Sequence, residues 1–181
     1  MSTRVPGNLA WLDLEMTGLD VQRDVILQAA LIVTDRELTP LDEYVCDVWQ
    51  PDEALARMSP FVRDMHEKNG LIERVRASRV DLREAERQLL SRVASLCDHP
   101  AVLCGSSIWV DRTFVDRYMP GLSGYLHYRM IDVTSLRLLV DRWHGSEATF
   151  IKTAQGEHDA LVDIRNSISE LRHYRGLFGK K

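Results

Sequence analysis

The stretch Trp11-Leu12-Asp13-Leu14-Glu15-Met16-Thr17-Gly18-Leu19 decides the fold of this chain. Leu9 to Leu14 is an apolar run interrupted by Asp13, and Glu15 closes it. In a strand, residues two apart point the same way. Asp13 and Glu15 therefore share one face with Trp11, while Leu12, Leu14 and Met16 pack on the other. Carboxylates held that close repel unless a proton or a cation lies between them. A hard divalent ion such as Mg²⁺ suits carboxylate oxygen. Thr17-Gly18 supplies a turn, so the pair lies near a strand end, where ligand sites of α/β proteins gather. On its own, Asp-x-Glu reads as a backbone-bonded Asp beside an exposed edge Glu. Later residues change that reading.

Working outward, Val25 to Thr34 is a β-branched and aliphatic run with Gln28 as its strongly polar member, and reads as a buried strand. Leu41 to Trp49 alternates as a third, more exposed strand. Three strands without intervening helices form an antiparallel meander. Asp52 to Met58 is a short helix. Ser59-Pro60 reads as N-cap and first helical residue of another, Phe61 to Lys68, ending at Asn69-Gly70. Asp81 to Cys97 is a helix with Leu82, Ala85, Leu89, Val93 and Leu96 on one face. Ala101 to Cys104 is a buried strand, and Asp111 to Tyr118 a helix closed by Pro120-Gly121. Tyr128 to Val133 is a fifth strand, and Thr134 caps a helix from Leu136 to Trp143. His144 to Glu157 has no period and reads as a loop before a final helix, about His158 to Tyr174. The result is an α/β fold, a mixed five-stranded sheet flanked by helices.

Composition narrows the function. A chain of 181 residues, 45% hydrophobic and 28% charged, suits one domain spanning residues 1–181. A net charge of −4 leaves no general basic surface to track a long polyanion, so a nucleic-acid ligand should be short or held by a few placed groups. Cys46, Cys97 and Cys104 have neither zinc nor disulfide spacing, which points to the reducing cytoplasm. Met1 to Asn8 is too short and polar for a signal peptide, and no apolar run could span a membrane.

Asp111, after the fourth strand, and Asp163, in the last helix, join the first acidic pair. His158 precedes Asp163 by five residues, about 500° of turn on an ideal helix, so both address one site only if His158 lies at or before the helix start. Each residue alone has a plainer role: Asp111 as an N-cap, Asp163 facing solvent, His158 at a helix start. As a set, carboxylates that hold metal and a His that takes a proton from water equip metal-assisted phosphodiester hydrolysis.

Asp13-x-Glu15, Asp111 and His158-x4-Asp163 resemble the three motifs of the DEDDh branch of the DnaQ-like, ribonuclease-H-fold 3′→5′ exonucleases. More narrowly, the first stretch, Leu126 to Leu136, and His158 to Arg175 are similar to the oligoribonuclease family over nearly the whole chain. The resemblance implies two Mg²⁺ or Mn²⁺ ions, about 3.5–4 Å apart, held by Asp13, Glu15, Asp111 and Asp163. His158 is then the general base, able to act when neutral near pH 7. The implied substrate is very short RNA, chiefly dinucleotides, released as 5′-mononucleotides. Leu19 matches the family's wedge between two bases, and Phe61 stands where many members stack a Trp. His66, Ser107 and Thr134 match a polar cap on the 5′ phosphate, completed by Tyr128 and Arg129 from a second subunit of a homodimer. Strand alternation sets Arg129 opposite Tyr128 and Met130, so one chain does not easily aim both at its own site.

Three positions depart from the family pattern. Ser106 replaces an Asn, Trp109 puts a large ring beside a metal ligand, and Gln28 replaces a common Glu. Two other readings compete: a broader DEDDh exonuclease on longer RNA or DNA ends, whose mark would be a basic groove, and a non-catalytic nucleotide-binding module, which would be expected to have lost carboxylates or the His.

Overall fold

The computed structural model describes residues 7–151 and 159–178. Its sheet has the order β3-β2-β1-β4-β5, formed by β1 (Leu9–Met16), β2 (Ile26–Thr34), β3 (Pro40–Asp47), β4 (Ala101–Gly105) and β5 (Leu126–Asp132). The first three strands are an antiparallel meander, and β4 and β5 join in parallel. The helices are α1 (Asp52–Leu55), α2 (Pro60–Lys68), α3 (Leu71–Ala77), α4 (Leu82–Leu96), α5 (Trp109–Tyr118), α6 (Pro120–Tyr125), α7 (Val133–His144) and α8 (Ala160–Phe178).

The alternation of β1 sorts its side chains between two layers. Leu12, Leu14 and Met16 join Ala85, Leu89 and Val93 of α4 and Phe114 and Val115 of α5 in one core. Trp11 joins Val133 and Val140 of α7 and Ala160, Ile164 and Ile168 of α8 in the other. The Trp11 indole, fully buried, donates to Thr34 Oγ1 at 3.0 Å. From α7, Arg137 grips the fully buried Glu170 of α8 with two hydrogen bonds of 2.6 and 2.7 Å, and the Tyr174 hydroxyl donates to the same carboxylate. This satisfied pair fixes α8 against α7; removing one partner would strand a buried charge. No helix among the described residues is long and apolar enough to cross a membrane.

Several local expectations need correction. Leu71–Ala77 is helical, because Gly70 at φ 70° reverses the chain and Leu71, Ile72 and Val75 bury together. α5 ends at Tyr118 as expected, but Pro120 then opens a further helix, α6, as its first residue. Asp132, not Thr134, caps α7, accepting from the Thr134 amide. His144 is still helical, and Ser146–Ala148 forms a 3-10 turn. The last helix begins at Ala160, where Asp159 Oδ1 accepts from the Leu161 and Val162 amides, and runs on to Phe178.

Candidate active site

The site lies where β1 outruns its parallel neighbour. Pairing of β1 with β4 ends at Trp11 opposite Cys104, so the second half of β1 has no β4 partner. Gly105 makes this junction close: a Cβ there would lie 2.9 Å from the Leu12 carbonyl oxygen. Past the junction the Leu14 amide donates to Asp111 Oδ1 at 2.9 Å. Asp111 thus comes from the first turn of α5 and does not cap that helix.

Asp13 and Glu15 extend from the face of β1 that meets α8, and Asp163 descends from the first turn of α8. Carboxylate oxygens of these three residues lie within 4.8 Å of one another. Burial pushes the Glu15 carboxyl up to about 8, and the charges of Asp163, Asp111 and Asp159 add to the rise. Burial likewise lifts Asp111 to about 7; the Leu14 N–H bond opposes that rise and the Asp132 charge adds to it. An all-oxygen, strongly acidic set of this kind, with Glu15 buried and Asp13 and Asp163 half-buried, fits a hard divalent cation, which replaces the protons that otherwise relieve the repulsion. His158 lies outside the described residues; the described helix starts just beyond it, at Ala160.

The expected substrate contacts fall into two groups. Leu19 and Phe61 are 76% and 77% exposed, yet both line a groove of about 320 Å³ with Leu14, Glu15, Met16, Val62 and Met65. Exposed apolar side chains this close to a carboxylate cluster form a surface for a flat, apolar ligand face. Leu19 is held firmly despite its exposure. Asp24 accepts from the Thr17 hydroxyl at 3.0 Å and the Asp20 amide at 2.9 Å, and its carboxylate fills the space that a Cβ on Gly18 would need. His66, expected in the cap on the 5′ phosphate, is fully buried, with Nε2 3.0 Å from the Met16 carbonyl oxygen.

The second group surrounds Asp132, which the sequence reading missed. Its Oδ1 accepts from the amides of Ser107 and Thr134, each at 2.9 Å, and the two hydroxyls meet at 3.2 Å. Ser107 sits at φ 53°, a left-handed conformation that turns it toward Thr134. An Asp two residues before Thr at a helix start is itself an N-cap signature, and it was the available signal.

Tyr128 and Arg129 do not alternate as expected. The β4–β5 register jumps between Ala101 opposite Leu126 and Leu103 opposite Met130, so residues 127–129 bulge from the ladder. The Arg129 amide donates to His127 Nδ1 at 2.9 Å. Both side chains are exposed, with the Arg129 guanidinium 5.2 Å from the Tyr128 ring centre. The bulge on an edge strand thus presents them together, away from the body of their own sheet.

The three departures are accommodated. Trp109 is 60% exposed, and two helical positions, about 200° of turn, separate it from Asp111, so its ring does not crowd the carboxylates. Ser106 Oγ lies 2.8 Å from Ser167 Oγ, which in turn donates to the Asp163 carbonyl. Gln28 is buried opposite Glu15.

Comparison with known proteins agrees with this geometry. The Exonuclease family model (RNase_T) matches residues 10–171. An oligoribonuclease of Pseudomonas aeruginosa (strain PAO1) is 47% identical over 177 residues, covering 97% of this chain and 98% of the relative. One from Francisella tularensis subsp. tularensis is 44% identical over 170 residues, covering 93% and 94%. Among solved structures, exonuclease I of Methylocaldum szegediense matches with a TM-score of 0.76 at 18% identity, over 96% of this chain and 41% of that one. The zinc-bound E. coli exonuclease I–ssDNA complex matches with a TM-score of 0.76 at 15% identity, over 97% and 42%. This chain spans less than half of those exonuclease I chains, and at such identity the likeness shows the fold, a ribonuclease-H-like one. With matches to oligoribonucleases that run over nearly the full length of both partners, the chain belongs to the oligoribonuclease family, the 3′→5′ exoribonucleases that hydrolyse phosphodiesters with divalent metal.

Proposed function

We propose that the chain, acting as one exonuclease domain over residues 1–181, degrades very short RNA, chiefly dinucleotides, to 5′-mononucleotides. The observation that carries this reading is the short groove in which exposed Leu19 and Phe61 stand beside Glu15. A chain of net charge −4 has little with which to follow a long polyanion, whereas two bases need only a wedge and a stacking ring. The same balance speaks against the broader exonuclease reading, and the intact carboxylate set against the non-catalytic one.

Asp13, Glu15, Asp111 and Asp163 would hold two Mg²⁺ or Mn²⁺ ions. Bound there, the ions supply Lewis acidity for making hydroxide from water and for offsetting charge on the leaving 3′ oxygen. His158 accepts the proton of that water. Leu19 inserts between the bases and Phe61 stacks on one. The Ser107 and Thr134 hydroxyls, oriented by Asp132, donate to the 5′ phosphate, with His66 behind the groove bracing the Met16 carbonyl. In a homodimer, Tyr128 and Arg129 of the partner subunit close the phosphate end; the bulge that exposes both supports this arrangement. Three buried free thiols suit a reducing cytoplasm.

Subunit mixing tests the shared cap. Arg129→Ala and Asp13→Asn homodimers are each crippled at both sites. Random exchange makes about half the dimers mixed, each with one intact site of two, so activity should return to about a quarter of wild type. No recovery despite proven exchange would place Arg129 in its own chain's site or outside any site.

A further inference from the structure

Gln28 sits in a hydrogen-bond chain that none of the chemistry above uses. It is the register partner of Glu15 on one side and of Asp47 on the other, so three side chains of neighbouring strands stand in a row on one face. Gln28 is almost fully buried. Its Nε2 donates to Asp47 Oδ1 at 2.7 Å, and its Oε1 accepts from the Ala160 amide at 3.1 Å. Asp47 is held from behind by Arg74 of α3, whose Nε donates to Oδ2 at 3.2 Å. Ala160 is the first residue of α8, and Asp163, three positions on, is the α8 carboxylate that meets Asp13 and Glu15.

The two ends of this chain fix what residue 28 must be. Asp47 offers only acceptors once ionised, and the Ala160 amide offers only a donor. An amide side chain serves both at once. A carboxylate would set acceptor against acceptor at Asp47 and add a charge beside Glu15. The first amide of a helix lacks an intrahelical partner, so whatever accepts from it also locates the helix start.

We propose that Gln28 is a positioning residue that locates the start of α8, and through it Asp163, against Asp13 and Glu15, as the middle of an Arg74–Asp47–Gln28–Ala160 relay. The proposal rests on reading those three carboxylates as a cation site. Groups that orient metal ligands from behind change metal affinity or activity by about 10–100-fold when removed.

The test uses Mn²⁺ binding by calorimetry on the chelator-stripped full chain, together with steady-state kinetics on a dinucleotide. Gln28→Met keeps the length of the side chain and removes both hydrogen bonds. With far-UV dichroism confirming the fold, Mn²⁺ affinity and kcat should each fall by about tenfold or more, while KM stays near the wild-type value because Leu19 and Phe61 are untouched. Gln28→Glu should also weaken Mn²⁺ binding, and Gln28→Glu combined with Asp47→Asn, which restores a donor at position 47, should recover it. A folded Gln28→Met chain with wild-type Mn²⁺ affinity and kcat overturns the relay, as does a double variant no better than Gln28→Glu alone. A wild-type chain that binds no Mn²⁺ overturns the cation site itself, and the proposal with it.

Discussion

Glu15→Gln should flatten the pH dependence of stability in the metal-free protein. Glu15 ionises near 4.5 in its ordinary state and near 8 in the fold, where burial first and neighbouring carboxylates second oppose its charge. Below the lower value both folded and unfolded chains keep the proton, and the residue costs nothing. As pH rises between the two values the unfolded chain loses the proton and the folded chain retains it, so stability falls. Above the upper value the cost is constant. At about 1.4 kcal/mol per pH unit, the window amounts to about 5 kcal/mol. For a domain of this size each kcal/mol moves Tm by about 2–4 °C, so between about pH 5 and pH 8 wild type should lose about 10 °C more than Glu15→Gln. The assay is thermal melting in chelator at both pH values, scored on slopes, because the buried amide also shifts the absolute Tm. Parallel Tm–pH curves for the two proteins would refute the electrostatic account of the cluster.

Other outcomes follow from single contacts. His158→Ala should cost about 10²–10⁴-fold in rate and remove the limb that rises as the imidazole loses its proton; a retained pH–rate profile would assign the base elsewhere. Phe61→Ala should weaken dinucleotide binding by about tenfold or more, as base stacking is worth about 1–3 kcal/mol. Unchanged affinity would make Phe61 an exposed helix residue without a substrate. Asp132→Ala, measured by chemical denaturation and by KM, should cost about 1 kcal/mol as a lost cap and raise KM by releasing Ser107 and Thr134 together; an unchanged KM would remove the hydroxyl pair from the substrate.

Local chemistry made much of this fold legible. The period of two in β1 told which residues share a face, and the apolar stripe of α4 placed that helix within a residue at each end. The Asp13–Glu15–Asp163 meeting was readable as a resemblance, and its geometry followed from β1 alternation. Features set by partners far along the chain were not readable. Asp111 reads locally as a cap, yet its oxygen is taken by the Leu14 amide, freed because β4 ends early. The 127–129 bulge depends on how β5 docks on β4, and no residue within β5 announces it. α3 hides because seven residues are too few for a periodic signal and its cue, Gly70, serves equally as a stop.

The most direct measurement of the central claim is the initial rate on 5′-labelled RNAs of about two to seven nucleotides, with Mg²⁺ and with chelator, interpreted through the stacking groove. The account predicts the highest rate on the dinucleotide, 5′-mononucleotides as products, a steep fall with length, and no turnover in chelator. Equal or faster cleavage of the longest RNA, or turnover that survives removal of divalent metal, would contradict it.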